Sequence, residues 1–288
     1  MDANSAGRQA KALDQIHAMS YFAPEMGESL AGVGLEPGGM PYFASRSAAM
    51  GAVGAAVVAA TFYTFNPELV ARFIPRAWEL ASPEQIVAAR YAGADGALRR
   101  ILGADRIGSP ELAEAAELAA IAARAARPEG RPLFAAHAQV PWPEQPHLSL
   151  WHALTLLREY RGDGHMVALQ AAGLSGIEAL ITHTATGTGF TADAARSRRG
   201  WSQQQWDTAV GDLRDRELLG SSGELTELGA ETRQVVEDLT DDLALPAWSE
   251  LGDDGLARLA ELAEPIRRAV VESGAFPAQI FGPRWGKY

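Results

Sequence analysis

The densest group of reactive side chains in the sequence is Leu157–His165, LREYRGDGH. Five ionisable residues, Arg158, Glu159, Arg161, Asp163 and His165, surround two glycines there. Arg158 and Arg161 offer planar forks that match a carboxylate or phosphate. Glu159 can orient a histidine or act as an acid. The pattern predicts that a helix ends near Tyr160, that Gly162 permits a turn, and that Asp163 caps the next helix. His165 then falls in a first helical turn, whose positive end disfavours imidazolium and leaves a neutral general base. We expect acid–base chemistry by His165, Glu159 and Asp163. The plainer reading of the same residues is a capping Asp163, paired arginines and a packed His165.

Further polar and aromatic groups lie upstream. Tyr42 and Arg46 flank an uncharged stretch, Ser47–Asn66, in which Ala and Gly dominate. A helix from about Ser45 to Phe65 would place Arg46 and Met50 on one face and Tyr63 near the far end. With Phe62, Phe65, Trp78, Trp142 and Trp151 these residues furnish aromatic surface, which reads as core packing or as the wall of a ligand cavity. The expected ligand-binding set is Arg158, Arg161, Tyr42, Arg46, Tyr63 and Trp151. The uncharged stretch is long enough to span a bilayer. Its lack of Leu and Ile favours a buried helix, and the chain is expected to be cytoplasmic.

The elements that must hold these groups read as mainly helical. Ser82-Pro83-Glu84 and Ser109-Pro110-Glu111 are each a cap followed by a first-turn proline, and Asn66-Pro67 repeats the device. Arg127–His147 carries five prolines and cannot be a single helix. We expect a helical domain over 1–147 ending in this linker, and a second over 148–288. Helices are predicted over Ser149–Tyr160, Gly164–Ala172, Ser175–Thr186 and about Asp254–Ser273.

Composition removes several function classes. The 288 residues include no cysteine, so no thiolate chemistry or disulfide is available. The net charge of −11 opposes non-specific nucleic-acid binding. No two of the six histidines have the spacing that places both on one helix face, so no metal site is expected. No P-loop, dinucleotide fingerprint or nucleophile elbow occurs, and no cofactor is specified.

From Thr191 to Leu243 the order is short helix, turn, longer helix, glycine turn and helix, with a short β-hairpin wing expected at the glycines. The run LLGSSGELTELGAETRQVVEDLTDDL, with Leu225, Thr226 and Gly229, resembles the wing and following helix of winged-helix regulators of the MarR type. More widely, YFASRSAAMG, FYTFNP, RPLFAA, LREYRGDGH and RGWSQQQWDTAV resemble an actinobacterial family known as helix-turn-helix proteins. The tail Phe276–Tyr288 matches that family only loosely. This resemblance implies the fold of the segment and carries over no activity or site residue.

A DNA reader needs cations for phosphates and polar groups for base edges. Arg196, Arg198, Arg199 and Gln203 are the candidates. Thr191–Ala244 as a whole holds twelve acids against six arginines. The favoured expectation is a small organic ligand in a helical core, with a winged helix that packs or forms a homodimer. The alternative is a ligand-responsive regulator that touches DNA.

Overall fold

The structure, a computed structural model, describes residues 2–285. α1 (Ala3–Ala18) is capped by Asp2, whose carboxylate accepts from the Ser5 amide. A single 3-10 turn leads to α2 (Pro24–Gly32). α3 (Met40–Ser47) and α4 (Ala55–Thr61) replace the expected continuous helix over Ser45–Phe65. Gly51 adopts φ 80°, outside the helical region, and the two helical pieces meet at 94°. Among the described residues no single helix is long and apolar enough to cross a membrane.

α5 (Pro67–Ala71) is followed by α6 (Ala77–Leu80), α7 (Pro83–Ile107) and α8 (Pro110–Ala125). The expected caps are in place: Asn66, Ser82 and Ser109 accept from Glu68, Gln85 and Leu112 amides. The proline-rich segment holds one short helix, α9 (Pro132–His137). The remaining helices are α10 (Pro146–Ala171), α11 (Gly176–Ala185), α12 (Ala192–Arg199), α13 (Gln203–Asp215), α14 (Glu227–Ala244) and α15 (Gly252–Glu272).

α10 overturns the expected turn at Gly162. It runs unbroken through both glycines, so Asp163 caps no helix of its own and His165 lies far from a positive helix end. The reason lies across the helix. Asp163 Oδ2 accepts from the Leu133 and Phe134 amides, each at 3.0 Å, and so caps the neighbouring α9. Gly164 gives room to Arg131, since a Cβ there would stand 2.2 Å from Arg131 Nη1. Arg131 crosses this gap to donate to the carbonyls of Tyr160 and Leu243, tying α10 to α14.

Apolar burial forms two clusters that share α10. Leu148–Tyr160 pack with the helices before them and with α15, whose Leu256, Leu259, Leu262, Ile266 and Val270 point inward. Ala168 and Leu169 join a smaller cluster built from α11 to α14 around Leu180, Trp206, Leu213 and Val236. The clusters therefore do not divide at 147/148. α10 is one rigid helix across that point, and α15 returns to the larger body. Burying each large side chain contributes about 1.5–3 kcal/mol.

The expected β-hairpin wing is also corrected. Among the described residues there is no strand; at the expected wing an isolated antiparallel bridge joins Leu219 and Leu225 around the Gly220–Gly223 turn, and a second such bridge pairs Phe190 with Phe281. Thr226 ends the pairing at once. Its hydroxyl accepts from the Gly229 amide, capping α14, and donates to the Glu217 carbonyl. Gly229 must be glycine because a Cβ would meet the Leu218 carbonyl oxygen at 2.1 Å.

Candidate ligand pocket

A cavity of about 1020 Å3 opens between the larger helical body and the α11–α14 segment. Seven residues singled out for ligand or catalytic roles line it: Tyr42, Arg46, Arg158, Glu159, Arg161, Asp163 and His165. Two do not. Tyr63 donates its hydroxyl to the Leu174 carbonyl at 2.7 Å, and Trp151 is wholly buried, stacked on His17 under Arg90. The first joins two segments and the second fills the core.

Most charges on the pocket wall neutralise each other. Arg46 on α3 meets Glu159 on α10 with two hydrogen bonds, Nε to Oε1 at 3.2 Å and Nη2 to Oε2 at 2.5 Å. Its Nη1 donates to the Tyr42 hydroxyl at 2.8 Å, and its guanidinium lies 4.6 Å from the Phe62 ring centre. Burial pushes the Glu159 carboxyl up, but Arg46, Arg158 and His137 outweigh it and hold the group at about 2. Glu159 is thus a permanent counter-charge and cannot serve as a general acid near neutral pH. Arg158 pairs with Asp14 on α1. Glu237 on α14 gathers Lys11, Arg161 and Arg233 at 2.9, 3.3 and 2.9 Å, joining α1, α10 and α14. Arg161 also reaches Asp241 at 2.8 Å.

His165 Nδ1 stands 2.8 Å from the Thr240 hydroxyl oxygen. That hydroxyl already gives its proton to the Val236 carbonyl at 2.6 Å. Nδ1 is therefore the protonated nitrogen and Nε2 keeps the lone pair. Burial, helped by Arg161 and Arg233, lowers the imidazole to about 3. His165 is neutral, as expected, but from burial and not from a helix end. Asp163 is raised to about 6 by burial, with Glu159 adding to the rise against the amides that bind it. No hydrogen bond among the described residues links His165 to Glu159 or Asp163. The three candidate catalytic groups each have a separate structural partner.

Arg199 and the exposed Arg284 are the cations on this wall that face no carboxylate among the described residues, and Arg199 is the less exposed of the two. Its guanidinium lies 4.1 Å from the Phe65 ring centre and 5.4 Å from that of Phe190. Its Nε is buried without a hydrogen-bond partner, and among the described residues no carboxylate pairs with it. Burial, with repulsion from Arg46, Arg198 and Arg158, lowers its pKa, although it stays charged. Arg196, Arg198 and Gln203 do not line the cavity. Arg198 is exposed, and Gln203 donates to Asp207 at 2.8 Å.

Several wall residues carried no signal in the sequence: His183, Phe190, Arg233, Glu237, Phe281 and Trp285. Phe281 and Trp285 arrive by tail pairing. The Gly282 amide donates to the Gly189 carbonyl at 2.7 Å and the Arg284 amide to Gly187 at 3.0 Å. Phe281 then stacks on Phe190 and on Trp285. Only the aromatic richness of the tail hinted at a packing role. Lys287 lies outside the described residues, as do the last residues of the loosely matching tail. Among the described residues no group of three or more His, Asp or Glu could hold a metal ion.

Arg199 ends α12, and Gly200 at φ 75° turns the chain into α13, which Ser202 caps by a reciprocal pair with Gln205. α12, this turn and α13 form a helix-turn-helix. The sequence model of a helix-turn-helix family matches residues 6–277. The chain belongs to that family. No curated protein and no solved structure matches it. In this member of the helix-turn-helix family the turn is covered by the body. The Asn66 amide donates to the Arg199 carbonyl at 2.9 Å, and Asn66 Nδ2 donates to Gly200 and Gln205 oxygens at 3.0 and 3.3 Å. Trp201 Nε1 donates to the Thr64 carbonyl at 2.9 Å. On α13 the exposed acids Asp207, Asp212 and Asp215 dominate. Arg214 is spent on the Gly220 and Ser221 carbonyls, and Arg216 on Glu178.

Proposed function

We propose that the protein binds a small organic molecule in the cavity between the helical body and the helix-turn-helix, which forms one wall. The observation that carries this reading is the lining itself. Tyr42, Phe62, Phe65 and Phe190 supply apolar faces, while His165 Nε2 and Arg199 supply unused polar groups, the mix that ligand sites use. The reading is one of binding, because Glu159, Asp163 and His165 are not coupled as acid and base. Its test is thermal denaturation with a panel of carboxylates, phosphate esters, amines and neutral aromatics. Gly162→Leu is the control, since it places a side chain on the cavity wall from a position whose Cβ meets only Glu159 Oε2, at 3.8 Å. Compounds that raise the wild-type Tm by mass action and leave Gly162→Leu unmoved support the reading. No shift with any compound, or equal shifts in both proteins, overturns it.

A second reading, a ligand-responsive regulator of the MarR type, draws on the family and on α12 supplying a pocket residue. It requires the α12–α13 turn to leave Asn66 before α13 can enter a groove, and it must overcome the acids of α13. Fluorescence anisotropy with duplex DNA at low and at high salt tests it. Salt-sensitive binding weakened by Arg198→Ala supports it, and no binding at low salt removes it.

A further inference from the structure

We propose that the cavity takes an aromatic monocarboxylate whose anionic group sits on Arg199 and whose ring lies among Phe65, Phe190 and Phe281. This deepens the pocket reading and rests on it. The argument is one of charge. Arg46 and Arg158 each face a carboxylate of their own, while Lys11, Arg161 and Arg233 share Glu237 and Arg161 also reaches Asp241. Arg199 faces none, although its Nε is cut off from other partners and three further guanidiniums, Arg46, Arg198 and Arg158, repel it. Arg199 is half-buried, so water compensates its charge only in part, and an anion joining it would complete the pairing. Arg284, the other cavity-lining cation without a carboxylate, is exposed to solvent and so is already compensated by water.

The magnitude of the deficit selects the class. One half-buried guanidinium without a carboxylate asks for one negative charge, and its planar fork matches a carboxylate. A phosphate dianion would bring a second charge, whereas the other wall cations, exposed Arg284 apart, already face carboxylates. Tyr42 strengthens the assignment. Burial raises its phenol, but Arg46, Arg199 and Arg158 pull it below the ordinary value. The hydroxyl accepts from Arg46 Nη1 at 2.8 Å and retains its own proton to donate to a bound anion. The body of the ligand follows from the faces around Arg199. Phe65 and Phe190 flank it, and Phe281 stacks parallel to Phe190 at 5.2 Å between centres. Flat aromatic faces favour a flat aromatic partner.

The test is isothermal titration of the full chain with 2-naphthoate and with its neutral isostere 2-naphthamide. Arg199→Gln and Tyr42→Phe are the variants, with Arg199→Lys as the conservative replacement. The Arg199 side chain makes no hydrogen bond, so Arg199→Gln keeps the fold, which its unfolding temperature checks. Loss of a charged hydrogen bond predicts that Arg199→Gln weakens 2-naphthoate about tenfold or more and leaves 2-naphthamide unchanged. Arg199→Lys recovers part of the affinity, and Tyr42→Phe weakens the acid alone. Equal affinity for acid and amide overturns the carboxylate while leaving the pocket reading intact. So does a 2-naphthoate affinity that Arg199→Gln does not change. Displacement of 2-naphthoate by inorganic phosphate at equal concentration overturns it in favour of a phosphate. No binding of 2-naphthoate to the wild-type protein overturns it outright, and the pocket reading then stands or falls on the thermal panel.

Discussion

Replacing Glu159 by Gln removes the counter-charge of Arg46 and leaves the side chain's shape nearly intact. Glu159 and Arg46 side chains are 2% and 11% exposed, so solvent cannot take the lost partner's place. Breaking a buried ion pair from one side costs about 3–5 kcal/mol. The carboxyl's titration gives a second route to the magnitude. Its pKa falls from 4.5 to about 2 on folding, which corresponds to about 3 kcal/mol of stability. A lowered folded pKa means that this contribution is complete above 4.5 and disappears as pH falls through about 2. Urea unfolding followed by tryptophan fluorescence at pH 7 and at pH 3 reads both. Glu159→Gln should be about 3–5 kcal/mol less stable at pH 7, and the gap should narrow by about 2 kcal/mol at pH 3. A gap below about 1 kcal/mol at pH 7, or one that does not narrow, refutes the assignment of Glu159 as a buried counter-charge.

Other positions test other parts of the account. Gly162→Leu should raise stability by up to about 1 kcal/mol through helix propensity, whereas Gly164→Ala should cost about 1–3 kcal/mol by displacing Arg131. Denaturant midpoints decide between this and a turn at Gly162, where a side chain would be harmful. Gly229→Ala should cost at least about 1–3 kcal/mol, because its Cβ meets backbone that cannot rotate away, and thermal unfolding measures it. Asn66→Ala removes the cap of α5 and the contacts to Gly200 and Gln205. It should cost about 1–2 kcal/mol and speed hydrogen exchange at residues 200–205, and unchanged exchange there would show that Asn66 does not hold the turn.

What the sequence made legible was local. Ser82, Ser109 and Asn66 cap helices because a cap and a first-turn proline act within four residues. The charges of Leu157–His165 fall together on the cavity wall because consecutive turns of one helix carry them. Partnerships across the chain were not. Arg46 and Glu159 are 113 positions apart, and nothing near either residue names the other. Gly162 and Gly164 look the same in sequence whether they make a turn or admit a neighbour, and only Arg131, thirty-three residues before Gly164, decides. Arg199 read as a candidate for touching DNA because it closes the basic run Arg196–Arg199. The helix carries Arg198 outward and Arg199 against Phe65. The wing failed as a hairpin because Thr226 begins the next cap one residue after the bridge.

The most direct measurement is a crystal structure of the protein grown with 2-naphthoate. The account predicts density for the ligand inside the cavity, its carboxylate on Arg199 and its rings against Phe65 and Phe190. An empty cavity at saturating ligand, or ligand bound on the outer face of α13, would contradict it.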